Sequence, residues 1–230
     1  MRRQEIKKVL DECLNNGYSF APCLRFNFTK SDIKNLLNSS KYSHNQNTNL
    51  HLYYLNKIRP FLFPELIRLA EKVSKKKFTY VDFYAITKIA QPNQISVSDR
   101  GHFDSHLFTL VTPVKIPKSN SKFKRGQLTV FNKIRDVPSN ELINFLTKMY
   151  FYLFYSSSKR ICRLYEKFTP IEFDFYDMNP LIFLGRQNFH FSNPFTSEKD
   201  ESHILLITHF FDPSPIWGIG RVNRFLRKRR

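Results

Sequence analysis

Among seven histidines, His102 is set apart by Asp104 two residues later, directly ahead of the strand-like run LFTLVTPV. In an extended chain residues i and i+2 point the same way, so this imidazole and carboxylate project together. One further histidine from a distant strand would place two His and one carboxylate on one face of a metal. That arrangement leaves positions open for a cosubstrate and dioxygen and is the geometry of non-haem iron(II). The spacing alone is a weak signal: with seven His and 19 acidic residues in 230, one His-x-acid pair is close to a chance event, and context must decide. His106 shares the strand face of His102 and is a lower-ranked alternative to it, and His209 follows an alternating ILLIT run where packing or polar satisfaction is its expected role. Other chemistries lack their signatures, since no GxSxG elbow, GxxxxGK loop, GxGxxG or HExxH occurs. Glu172 and Asp174 share a strand face but read as the solvent side of FDFYD. Cys13, Cys23 and Cys162 form no CxxC pair, so a cysteine zinc site or disulfide framework is not expected.

The elements that must position His102 and Asp104 lie after residue 77. TYVDFYAITKIA, HLFTLVTPVKI, GQLTVFNKI, IEFDFY, PLIFLG and HILLITHFF are short β-branched and aromatic runs separated by turn-prone stretches. Six such runs without alternating helices predict a barrel or jelly roll. The first third reads as helical. Ile6, Val9, Leu10 and Cys13 recur at helix spacing, Thr29 and Asp32 fit a capping box, and Tyr53 to Val73 is apolar on one side. Pro60 and Pro64 are expected to break or start helices there. A helical insertion is predicted over about 139–167, with Ser139 as its cap and Leu142, Phe145, Leu146 and Met149 on one face. The expectation is an α+β chain, mainly β: helical support over 1–77, a β core over 78–215 and a basic tail over 216–230.

GHFDSHLFTLVTPVKIP is followed by RGQLTVF, then NPLIFLGRQNFHFSNPF, then HILLITHFFDPSP. That order resembles the iron(II) and 2-oxoglutarate-dependent dioxygenase superfamily, prolyl hydroxylases included, over about residues 78 to 215. The resemblance implies a double-stranded β-helix (jelly roll) in which His102 and Asp104 are the HxD pair, His190 is the distal ligand, and Gly126, Gln127 and Leu128 stand in the GGxL-like segment. It further implies Fe2+ as the metal, 2-oxoglutarate and dioxygen as cosubstrates, and hydroxylation of an unactivated C–H bond with succinate and carbon dioxide as coproducts. The family places an Arg or Lys on the last core strand to hold the far carboxylate of 2-oxoglutarate; here that stretch reads Glu201, Ser202, His203, Ile204. His203 if protonated, or Arg125, Lys115 or Arg186 from another strand, are the candidates for that anchor. Tyr84, on the strand entering the site, is a further candidate contact for cosubstrate or substrate, against core packing.

Lys and Arg exceed Asp and Glu by 18, which favours anionic partners at low salt. The last ten residues, RVNRFLRKRR, carry six of these charges and could touch RNA, an acidic carrier or a membrane surface. The substrate expected of the enzyme is a small molecule, a carrier-bound group or a protein. The alternative is a barrel-type module that binds RNA or anionic lipid without catalysis. No transmembrane segment is read, and the charged start MRRQEIKKVLDECLNN lacks the apolar block of a secretory signal, so a cytoplasmic location is expected.

Overall fold

Ile6, Val9, Leu10 and Cys13 are the buried stripe of the first helix, α1 (Arg3–Asn16), whose apolar face lies against the rest of the core. The computed structural model describes residues 3–39, 44–46, 48–90, 100–117, 126–138, 140–155, 158–194 and 202–213. A short strand, β1 (Tyr18–Phe20), precedes α2 (Lys30–Ser39). The capping box that opens α2 is formed: the Thr29 amide donates to Asp32 Oδ2 and the Asp32 amide to Thr29 Oγ1. After β2 (His44–Gln46), α3 (Asn49–Ser74) runs unbroken through both prolines, contrary to the expected break. Pro60 and Pro64 are both exposed. The carbonyls deprived of a donor therefore face water, while Leu62, Leu66, Leu69 and Ala70 hold the opposite side in the core.

Strands β3 (Phe83–Ala90), β4 (Phe108–Lys115), β7 (Leu181–Leu184) and β9 (His203–Phe210) join β1 and β2 in a six-stranded sheet of order β1-β7-β4-β9-β3-β2. Strands β5 (Leu128–Phe131), β6 (Ile171–Phe173) and β8 (Phe189–Ser192) form a second sheet of order β6-β5-β8. Every pairing among the described residues is antiparallel. Val111, Leu181, Phe183 and Leu205 of the large sheet meet Leu128, Val130 and Phe173 of the small one in a shared apolar layer. The fold is therefore α+β, a double-stranded β-helix closed by two facing sheets. Both strands are covered on both faces, so β4, up to Lys115, and β7 are buried at successive positions rather than at alternate ones. Helices α1 and α3 cover the outer face of the large sheet.

The outer face of the small sheet is covered by α4 (Glu141–Tyr155) and α5 (Ser158–Tyr165), where Phe103, Phe131, Phe189 and Phe191 pack with Ile161 and Leu164. Asn140 caps α4, its side-chain oxygen accepting from the amides of Leu142 and Ile143; Ser139, the expected cap, lies outside the described residues. The face carrying Leu142, Phe145, Leu146 and Met149 points outward, with all four side chains exposed. A stripe containing Asn144 and Lys148 points in instead, tied by the Arg135 guanidinium to Asn144 Oδ1 and by Lys148 Nζ to Ser105 Oγ.

Candidate metal centre

Residues 101–107 reach the mouth of the β-helix between β3 and β4, and backbone hydrogen bonds fasten them on several sides. The Asp104 amide donates to the Gly185 carbonyl at 2.9 Å, and the Leu107 amide donates to the Phe211 carbonyl at 2.9 Å. His102 forms an isolated antiparallel bridge with His190 of β8, each amide donating to the other's carbonyl at 3.0 Å. Two residues distant in sequence are thereby set side by side, with ring centroids 4.5 Å apart. Gly185 is required by this packing: a Cβ there would lie 2.7 Å from Asp104 Cβ, Asp104 Oδ2 and Thr109 Oγ1. Glycine at 185 thus lets the β7–β8 turn approach the carboxylate.

One side-chain atom each from His102, Asp104 and His190 lies within 4.8 Å of the others. His102 Nε2 is 3.7 Å from Asp104 Oδ1, and His190 Nε2 is 3.6 Å from Asp104 Oδ2. The other ring nitrogens are engaged: His102 Nδ1 is 3.0 Å from the Arg100 carbonyl and His190 Nδ1 is 3.1 Å from the Asn188 carbonyl. A carbonyl only accepts, so both Nδ1 atoms carry the proton and both Nε2 lone pairs face the shared centre. Burial lowers the His190 imidazole to about 4, against the pull of Asp104, which keeps it neutral and able to ligate. Burial pushes the Asp104 carboxyl up, but His209, His190 and His102 together hold it well below the ordinary carboxylate range. Two neutral imidazoles and an ionised carboxylate fit a divalent cation of the non-haem iron type.

Asp104 is further held from behind. The Thr109 hydroxyl donates to Asp104 Oδ2. His209 Nδ1 lies 3.0 Å from Thr109 Oγ1 and 3.5 Å from Asp104 Oδ2. The single hydroxyl proton goes to the carboxylate, so His209 donates its Nδ1 proton to Thr109 and the three groups form a relay that sets the rotation of the carboxylate. Sequence reasoning assigned His209 to packing or polar satisfaction, and its bond to Thr109 is polar satisfaction with a partner that the sequence did not name. The missing signal is the register that puts His209 directly opposite Thr109 across β4 and β9. Replacing Thr109 with valine is expected to weaken ferrous-iron affinity about tenfold, measured by anaerobic titration, with an unchanged circular dichroism spectrum. Unaltered affinity would show that the relay does not orient Asp104.

The remaining sequence candidates are dispersed. Tyr84 is half-buried and stacks beside His106 and His209, with centroids 6.3 and 6.2 Å away, which places it behind the carboxylate relay. Arg186 is fully buried but bonds Glu141 Oε1 at 2.6 Å and the Ser105 carbonyl at 2.8 Å. It joins α4 to the ligand-bearing segment and does not enter the space between the sheets. Lys115 is the last residue of β4, six positions and roughly 20 Å along the strand from Thr109. Arg125, Glu201 and the tail over 221–230 lie outside the described residues. His203 is buried, and burial with the nearby Lys88 charge lowers it to about 3, so it is neutral near pH 7 and supplies no cation.

A buried cation that the sequence reading did not name is Lys88. It is 6% exposed, projects from β3 of the large sheet and donates from Nζ to Ser192 Oγ of β8 at 3.0 Å. Its side chain therefore crosses between the two sheets. Ser192 shares the inward face of β8 with His190, two residues or about 7 Å further along. Nothing in the local pattern KIA marked this lysine, because a charged residue in a strand ordinarily reads as surface.

No family model matches the sequence, and no curated protein matches it. Solved structures do. A prolyl hydroxylase from Trichoplax adhaerens, in complex with a hypoxia inducible factor oxygen degradation domain peptide fragment, is 12% identical with a TM-score of 0.51, covering 92% of this chain and 90% of its own. The non-haem α-ketoglutarate-dependent carbocyclase SnoK of nogalamycin biosynthesis is 10% identical with a TM-score of 0.53, covering 90% and 84%. A Pseudomonas putida prolyl-4-hydroxylase is 11% identical with a TM-score of 0.50, covering 89% and 97%. At such identities the likeness is one of fold. The chain has the double-stranded β-helix fold of the iron(II)/2-oxoglutarate-dependent oxygenases.

Proposed function

We propose that this chain is an iron(II)- and 2-oxoglutarate-dependent oxygenase that hydroxylates an unactivated C–H bond, with residues 78–215 as its oxygenase core. The observation that carries this reading is the convergence of His102, Asp104 and His190 within 4.8 Å, inside that fold. On this reading the three side chains hold ferrous iron. Bound there, iron supplies oxygen activation, with 2-oxoglutarate and dioxygen becoming succinate and carbon dioxide and one oxygen atom inserted into the substrate. Lys88 and Ser192 present an ammonium and a hydroxyl to the far carboxylate of 2-oxoglutarate, a charge-assisted contact inside a low-dielectric layer. Ile207, Val111, Leu205 and Phe183 line that layer and exclude water from it. The 52% exposed side chain of His102 marks the open edge through which substrate arrives. The substrate classes that fit the reading are a small molecule, a carrier-bound group or a protein segment. The test is succinate formation from 2-oxoglutarate by purified protein with ferrous iron and oxygen. Turnover that stops with a chelator and returns with iron supports the assignment, and none under any of these conditions overturns it.

A further inference from the structure

Helix α4 is built inside out. Its fully buried residue is a polar one, Asn144, whereas Leu142 is 53% exposed, Ile143 51%, Phe145 41%, Leu146 47%, Met149 44% and Phe154 47%. At 100° per residue these six, with Tyr150, Tyr152 and Leu153, fill an outward arc that contains no charged residue. The two charged residues of α4, Glu141 and Lys148, face inward, held by Arg186 and by Ser105. Rotating the helix to hide its apolar arc would break both bonds and the Arg135–Asn144 bond as well. An apolar surface of this extent on a soluble domain marks a contact with something else.

The charges around the arc indicate what that is. Setting aside Glu141 and Lys148, which face inward, residues 140–168 hold four Lys or Arg against one Glu. Arg163 and Lys167 are exposed, and Arg100 donates to the hydroxyl of Tyr152 at 3.4 Å. An uncharged arc of Leu, Ile, Phe, Met and Tyr with a basic rim is the composition of a helix lying in a bilayer interface, apolar side down and cations at the headgroups. A second copy is disfavoured, because each chain carries a net +18 and an anionic surface attracts what another copy repels. We propose that the outward face of α4, with Arg163 and Lys167 beside it, docks this protein on an anionic lipid surface. Lys148 bonds Ser105, and Phe151 packs edge-on against Phe103 at 5.0 Å. Docking would therefore put the bilayer beside the segment that carries His102 and Asp104.

The experiment is co-sedimentation of the full chain with phosphatidylcholine vesicles, with and without phosphatidylserine, at low and high salt. Wild-type protein should bind the phosphatidylserine vesicles in a salt-sensitive way. The Phe145→Glu, Met149→Glu pair should lower that affinity at least about tenfold, whereas Phe145→Leu, Met149→Leu should retain it. Both pairs lie on the exposed face, and an unchanged thermal melt confirms that each is folded; Leu142→Gln with Leu146→Gln repeats the loss. Three results would each overturn the proposal: no binding to phosphatidylserine vesicles at low salt, binding indifferent to the glutamates, or a dimer in sedimentation that the glutamates dissociate.

Discussion

Asp104→Ala is expected to abolish ferrous-iron binding and to lower 2-oxoglutarate turnover at least about 100-fold, since losing a ligand exceeds the 10–100-fold typical of losing a partner behind one. The residue is 6% exposed and stands between two imidazole Nε2 atoms at 3.6 and 3.7 Å. Without it, two neutral donors remain and nothing offsets the charge of the metal. Asp104→Asn refines the test by keeping size and an acceptor for Thr109 while removing the charge. It should fold as the wild type does and still fail to hold iron. The doubly substituted His102→Ala, Asp104→Ala protein should be equally inactive. Were His102 and Asp104 only a structural pair, these variants would lower the melting temperature and leave iron-dependent succinate formation intact, and that result would remove the ligand assignment.

The second large effect falls on Lys88. Lys88→Met keeps the aliphatic stem and removes the ammonium, and the KM for 2-oxoglutarate should rise about 100-fold, as expected for losing a buried charge-assisted contact. Ferrous-iron affinity should stay within about twofold, because the lysine meets Ser192 rather than the ligands. Stability should hold or increase, since a buried charge replaced by an apolar side chain of similar size is often neutral or better. This combination separates an anchoring role from a structural one: a structural lysine would show its loss in thermal unfolding and not in KM. Lys88→Arg should recover part of the affinity. An unchanged KM in Lys88→Met would place the anchor on another residue.

The two halves of the centre differ in how far they could be read from the chain. His102 and Asp104 were legible because i and i+2 on an extended segment share a side, a local rule that needs no knowledge of neighbours. Gly185, Thr109 and His209 were not, because each acts on Asp104 through pairing between elements: Gly185 by close approach of a turn, His209 by the register of β4 against β9. The expected break in α3 failed for a related reason. Proline is a local penalty, but the two prolines fall on the solvent side of a helix whose other side is held in the core, and tertiary packing overrode propensity. In α4 the apolar periodicity was read correctly as a helix with Leu142, Phe145, Leu146 and Met149 on one face, and the fold turns that face outward. Periodicity says that a stripe exists and is silent on which neighbour it meets.

The order of short β-branched runs, the capping box of α2 and the HxD pair were properties of the chain itself, since each depends on residues a few positions apart. The arrival of His190 beside His102, the projection of Lys88 between the sheets and the outward turn of α4 were decided by the folded molecule. Strand pairing and sheet closure juxtapose residues about ninety or a hundred positions apart, and the free energy that selects such contacts comes from burying both faces of a closed sheet at once. No window of local sequence contains that term.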